Sequence, residues 1–310
     1  LLSASEKLQR RLFVMNKIEV KILNEDAITD GERMMVAGAR LTQRGHNIKS
    51  MADFMSLYSR HYSEDIVKRM CELPHPNIQR FAFINVAIVG ASRRFLAQIT
   101  RHQDDVHFIS ASLQYSDYSD NGAFCVPYEL MVKDSMHEGQ AQYEEHYYVN
   151  RYLRTQRQAM AEYEQAIKQG VDNDSAGYMM PHGLRNVIVI GATPFQWKHM
   201  IAQRVCRRNT PETAYVMNLV WEALIRCSSM FDNAGPFCTE GGCKEGKMSC
   251  KHVYHDVVVD AYMEAHNCFL PTAFLDVNYP LIRQQYVPGC AELKCRGGVC
   301  DIPGLGGDEK

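Results

Sequence analysis

Gln98-Ile-Thr-Arg101-His102-Gln103, followed by Ser110-Ala-Ser112-Leu-Gln114-Tyr115, is the stretch on which the reading of this chain turns. An apolar run, Phe81 to Ala91, leads into it and suits a buried strand, and Ser92 stands where a helix N-cap belongs. The spacing predicts a helix from Ser92 through Arg101. That helix ends in a Gln, an Arg and a His, and a loop with two serines and another Gln follows. Arg offers a planar fork for a carboxylate, a phosphate or a carbonyl pair, and His can bond an aromatic edge or a diphosphate. The same residues also suit a solvated helix C-terminus, where Arg and His complement the helix dipole.

Outward from this centre, Lys17 to Leu23 alternates as a strand with Ile18, Val20 and Ile22 on one face. Asp30 is placed to cap a helix over Gly31 to Gln43, and Met51 to Cys71 has helical apolar spacing that stops before Pro74 and Pro76. Met136 to Gln169 is charged and rich in helix formers, which predicts one long helix. Val187 to Ile190 is too short to assign to strand or helix. Pro194 fits the first turn of a helix to about Arg208, and Pro211 starts another through Phe231, ended by Gly235-Pro236. No repeat or low-complexity tract is present.

The chain has 310 residues, and 34 Lys plus Arg against 36 Asp plus Glu leave a net charge of −2. Such a balance argues against a general nucleic-acid binder, which needs a basic excess to displace counterions. The Phe81 to Ala91 run is far shorter than the ~20 residues that span a bilayer. The opening Leu-Leu-Ser-Ala-Ser-Glu lacks the basic and apolar regions of a secretory signal, so a cytoplasmic location is expected. Of 11 cysteines, seven fall in residues 236–310, with nine of the 20 glycines. The expected organisation is an N-terminal extension at 1–16, a catalytic domain at 17–235 and a Cys/Gly-rich extension at 236–310.

The central stretch resembles the signature of the flavin-dependent thymidylate synthases, Arg-His-Arg, a short loop, then Ser-x-Arg-Tyr, with a Gln before the first Arg. Here it reads Gln98, Arg101-His102-Gln103 and Ser112-Leu113-Gln114-Tyr115. Flanking matches follow in order: Ala39-Arg40-Leu41-Thr42, His75-Pro-Asn77, Ser92-Arg93 and Phe124-Cys-Val-Pro127. Then come Met180-Pro181, 22 further residues and Arg204-Val-Cys206, with Thr210-Pro-Glu212 after it. Gly235-Pro236-Phe-Cys238 and Gly242-Cys243 resemble the tail of many members.

The resemblance implies an α/β (α+β) fold with a small mixed sheet and long helices, assembled as a homotetramer with active sites between subunits. It implies FAD as cofactor, methylenetetrahydrofolate and NADPH as co-substrates, and reductive methylation of dUMP to dTMP. By matched position, His75, Asn77, Arg101, His102, Gln103, His199 and Arg208 are expected at the flavin. Gln98, Ser110, Ser112, Leu113, Gln114 and Arg204 are expected at the nucleotide. Arg204 and Ser112 are expected at the reacting pyrimidine, Ser112 as a ligand contact and not as a nucleophile. A cation at Arg204 makes chemical sense because negative charge develops on the ring as its carbon becomes nucleophilic.

Against the family pattern, Gln103 and Gln114 replace arginines, and Gly177 stands where a phosphate-binding Arg is usual. Thr193 and Thr210 replace an Asn and a Gln. Each lost charge-assisted bond to a phosphate costs ~1.5–3 kcal/mol. Either Arg185 and Arg207 compensate, or the substrate is another pyrimidine nucleotide, or the chain is a non-catalytic flavin- or zinc-binding scaffold. Cys238, Cys243, Cys250 and His252, like Cys290, Cys295 and Cys300, lack compact zinc spacing, so reduced thiols and no metal site are expected.

Overall fold

The computed structural model describes residues 18–119, 123–137, 147–238 and 243–251. Its strands are β1 (Glu19–Ile22), β2 (Ile84–Ser92), β3 (Val106–Ser110) and β4 (Arg185–Ala192), in one sheet of order β1-β2-β4-β3. Every neighbouring pair is antiparallel, which corrects the expected mixed sheet. The reason is topological. β2 and β3 run the same way, but β4 inserts between them and opposes both, so no parallel pair remains.

One face of the sheet holds the core. Ile84, Val86 and Ile88 of β2 stand beside Ala192, Ile190 and Ile188 of β4 in register, all buried. Two helices cover them: α8 (Pro194–Arg204) and α9 (Pro211–Cys227), which bring Trp197, Met200, Val216, Val220 and Trp221. The Trp197 indole N–H donates to Ile84 O at 3.0 Å, so its polar edge is satisfied within the apolar layer. Thr193 caps α8 by accepting from Gln196 N at 3.3 Å, and Pro194 occupies its first position.

The remaining helices depart instructively from sequence expectation. Helix α1 (Asp26–Arg44) starts before Asp30, because Asn24 pins the preceding turn through Phe83 O and Asn85 N, both at 2.8 Å. Met51 to Cys71 is two helices, α2 (Met51–Tyr58) and α3 (Glu64–Glu72). Between them the carbonyls of Arg60 and His61 accept from Arg40 at 2.9 and 2.8 Å, so they are not spent on a helix ladder. Where one long helix was expected, α5 (Tyr128–His137) and α6 (Tyr147–Lys168) form, and Asp134 accepts from Tyr148 N and Val149 N at the start of α6. A satellite core of Tyr118, Phe124, Met160, Tyr163, Ala176 and Leu184 packs α6 against the short helix α7 (Asn173–Ala176) and the lead into β4. No helix among the described residues is long and apolar enough to cross a membrane.

Candidate active site

The signature helix, α4 (Arg93–Ile99), is oriented from its N-terminus. The Ser92 hydroxyl accepts from Phe95 N at 3.1 Å, as the sequence predicts for an N-cap. Glu212, in the first turn of α9, accepts from Ser92 N at 2.7 Å and from the Ser92 hydroxyl at 2.6 Å. Burial raises the Glu212 pKa, and its bonds to Ser92 oppose the shift. Glu212 therefore ties α9 to the start of α4. Sequence reading assigned it no role at the site.

At the far end of α4 the expected residues converge. Arg204, the last residue of α8, donates from Nε to His102 Nε2 at 2.9 Å and from Nη2 to Gln98 O at 3.0 Å. Its Nη1 reaches Asn209 Oδ1 at 3.4 Å, and Asn209 Nδ2 donates to Gln203 O at 2.6 Å and to Cys206 O at 3.2 Å. Those two carbonyl bonds belong to a turn, which is why α8 stops at Arg204 and not near Arg208. The guanidinium is held on three sides and keeps N–H groups to spare. Burial lowers the Arg204 pKa, and Arg101 adds to the shift by repulsion.

His102 is only 7% exposed, so it stands behind Arg204 and not on the surface. Burial, then Arg204, then His199 push its pKa down to about 4. A neutral ring whose Nε2 accepts from Arg204 carries its proton on Nδ1. His199 meets it edge-on, ring centres 5.9 Å apart, and is itself 2.9 Å from the Gln203 amide. The Gln98 side chain is also fixed. Its oxygen, assigned toward α9, accepts from Thr210 at 3.2 Å and from Thr213. Thr210, which the resemblance marks only as a departure from the family pattern, thus has a positional role, and Thr213 carries no signal in the sequence.

The second half of the signature forms a separate group. β3 ends in exposed Ser110, and Ser112 makes a tight turn by accepting from Gln114 N at 3.1 Å and Tyr115 N at 3.4 Å. Gln114 and Tyr115 are exposed, the latter by 81%. Leu113 turns inward onto Gly177, where an added Cβ would lie 3.3 Å from Leu113 Cβ and Cδ1. Gly177 is therefore the floor under Leu113. Tyr178, beside it, is 92% exposed.

His75, Asn77, Arg101 and Gln103 are exposed, and their side chains make no hydrogen bond or ion pair among the described residues. Lys198 links this region to α8 by donating to Gln79 Oε1 at 2.9 Å. Arg208 is engaged elsewhere, ion-paired with Glu245 and 3.9 Å from Met248 Sδ. Of the two expected compensating cations, Arg185 is 5% exposed and lies beside buried Cys125 and Glu212, so it faces the interior. Arg207 stays partly exposed. No hydrogen bond among the described residues joins the Arg204 group to the Ser112 turn. Among the described residues, no group of His, Cys, Asp and Glu could hold a metal ion. His252, Cys290, Cys295 and Cys300 lie outside them.

With this geometry in place, comparison with known proteins is decisive. Residues 25–227 match the family described as "Thymidylate synthase complementing protein". The chain belongs to that family. Its signature and the helices that position it lie inside the matched span, and membership places the chain among methyltransferase enzymes. A flavin-dependent thymidylate synthase from Thermococcus onnurineus (strain NA1) is 24% identical over 183 residues, covering 56% of this chain and 69% of that protein. Among solved structures, the UMP/dUMP methylase PolB from Streptomyces cacaoi, bound with 5-Br dUMP, superposes with a TM-score of 0.55 at 15% identity. It covers 70% of this chain and 94% of its own, and supports the fold. This chain is thus a divergent member of the thymidylate synthase complementing family.

Proposed function

We propose that this protein is an FAD-dependent thymidylate synthase. It reductively methylates dUMP to dTMP, with methylenetetrahydrofolate as carbon donor and NADPH as reductant. It works in the cytoplasm as a homotetramer with active sites between subunits, and residues 17–235 form its catalytic domain. The observation that carries this reading is the Arg204 guanidinium, held by His102, Gln98 and Asn209 with N–H donors to spare. A preorganised cation of this kind stabilises charge that develops on a pyrimidine carbonyl, without reorganisation at the moment of reaction.

The donor set fits a flavin dinucleotide. His75, Asn77, Arg101 and Gln103 present unspent polar groups outward, and Tyr115 and Tyr178 present aromatic faces. A bound flavin supplies hydride chemistry that no side chain here can perform. The protein's share is orientation. Gln98, Ser110, Ser112, Leu113 and Gln114 line the nucleotide, and Arg204 holds its carbonyl. His102 positions Arg204, and His199 buttresses His102. Arg208 reaches the cofactor once released from Glu245.

The test is the visible spectrum of the purified protein, followed by dUMP-dependent NADPH oxidation with and without methylenetetrahydrofolate, UMP being assayed in parallel. Flavin absorbance, with dTMP formed only when the folate is present, is expected. A colourless protein that FAD fails to reconstitute would overturn the reading, and turnover of UMP but not dUMP would move it to a ribonucleotide methylase.

A further inference from the structure

A polar cavity lies between the end of α1 and α2, and no residue of the Arg204 group or the Ser112 turn lines it. Its volume is about 260 Å3, and it is lined by Arg40, Arg44, Asn47, Ile48, Asp53, Ser56, Leu57 and Arg60. Arg40 and Arg44 sit one helical turn apart on the same face of α1, and Arg60 faces them from just beyond α2. The three cations are not equivalent. Arg40 spends both Nη groups on the carbonyls of Arg60 and His61, so it builds the wall. The guanidinium groups of Arg44 and Arg60 make no hydrogen bond or ion pair among the described residues, and the same holds for the side chains of Asn47 and Ser56.

The only acid in the lining is already engaged. Asp53 accepts from Lys49 N at 3.0 Å and from the Ser50 hydroxyl at 2.9 Å, and these bonds hold its carboxyl below the usual range. Asp53 therefore stays anionic and offsets one of the three arginine charges, which leaves the lining with a net excess of positive charge. Arg40 registers this, since burial and then the charges of Arg60 and Arg44 lower its pKa. Like charges are gathered here at a cost that a bound anion would offset.

We propose that this cavity binds the phosphoryl group of a small phosphorylated ligand, with Arg44 and Arg60 as the charged clamp and Ser56 and Asn47 as neutral donors. Guanidinium groups match phosphate oxygens in geometry, and hydroxyl and amide donors complete the shell. The volume falls just under the ~300–1,000 Å3 of sites that enclose a whole drug-sized ligand, so it suits one charged end of a molecule. An extended polyanion is disfavoured, because the cavity is concave and local and the chain carries a net charge of −2. The phosphoryl group is that of a free phosphometabolite or of a dinucleotide's diphosphate, and the chemistry is shared. The site stands independently of the Arg204 group and of the reaction proposed for it.

The experiment is calorimetric titration of the full chain with inorganic pyrophosphate, and with phosphate, at two salt concentrations. The double variant Arg44→Ala/Arg60→Ala is expected to bind pyrophosphate at least about tenfold more weakly. Its melting midpoint should match the wild type, because neither guanidinium makes a bond within the fold. Arg44→Lys/Arg60→Lys should recover part of the affinity as point charges. Repeating the titration on FAD-saturated protein separates the sources. Loss of pyrophosphate binding assigns the site to the dinucleotide, unchanged binding assigns it to a separate ligand, and both outcomes support the clamp. Absence of pyrophosphate binding to the wild type, or equal binding by the double alanine variant, would overturn it. No arm depends on turnover of dUMP.

Discussion

Arg204 donates to His102 Nε2 at 2.9 Å and to Gln98 O at 3.0 Å, so a residue at the end of α8 is locked onto the end of α4. A lysine there would keep the charge and lose the fork. Arg204→Lys is expected to lower kcat for dTMP formation by about 10²-fold, the loss typical of one preorganised donor at a developing oxyanion. Steady-state NADPH oxidation with saturating dUMP measures it. An unchanged kcat would remove Arg204 from the reaction.

His102 gives a pH signature of the same lock. Its folded pKa is about 4 against an ordinary 6.5, so above pH 6.5 the ring is neutral in folded and unfolded chains alike. As pH falls below 6.5 the unfolded chain takes up a proton that the folded one refuses, and stability drops until about pH 4. The full loss is about 3 kcal/mol. Urea unfolding at pH 7.5 and pH 4.5 should show it, and His102→Gln should flatten the difference. A profile unaffected by that substitution would place the titration elsewhere.

The Ser92–Glu212 pair joins two helices through two short bonds. Glu212→Ala leaves Ser92 N without its partner and should cost about 3 kcal/mol, and Ser92→Ala about 1–2 kcal/mol. Because the residues share those bonds, the double variant should cost about 1–3 kcal/mol less than the sum. Additive losses would show that the cap and the carboxylate act separately.

At Gly177 the structure resists the family's arginine. A Cβ there meets Leu113 Cβ and Cδ1 at 3.3 Å, so the Leu113 side chain must yield by a few tenths of an ångström. Gly177→Arg is expected to destabilise by about 1–3 kcal/mol, as overpacking does, and Leu113→Ala in the same chain should restore most of it. Differential scanning calorimetry of the two variants beside the wild type decides the point.

Much of this was legible in the sequence, and the exceptions have physical causes. The cap at Ser92, the β2 core face and the Pro194 and Pro211 helix starts are local signals that survived, whereas the Asp30 cap gave way to the turn pinned by Asn24. β4 was missed because it opens with Arg185 and Asn186, polar residues whose burial only the tertiary fold explains. β3 was missed because its His107 and Ser110 stay exposed, leaving little alternation to read. The breaks at Arg60 and Asn209 depend on side chains that claim backbone groups from outside the helix, which no periodicity records. The site residues were found by motif, but their division into an inner lock at His102 and Arg204 and an outer set at Arg101 and Gln103 required the structure.

Gln98 carries a last consequence. With its amide oxygen turned to Thr210 and Thr213, it can offer a ligand only its N–H2 group. The side chain is thereby polarised as a one-way reader, complementary to an atom with lone pairs. A uracil carbonyl satisfies it, while the exocyclic amine of cytosine would confront donor with donor. In the proposed nucleotide site, the two threonine hydroxyls thereby set which hydrogen-bonding face Gln98 presents to the base.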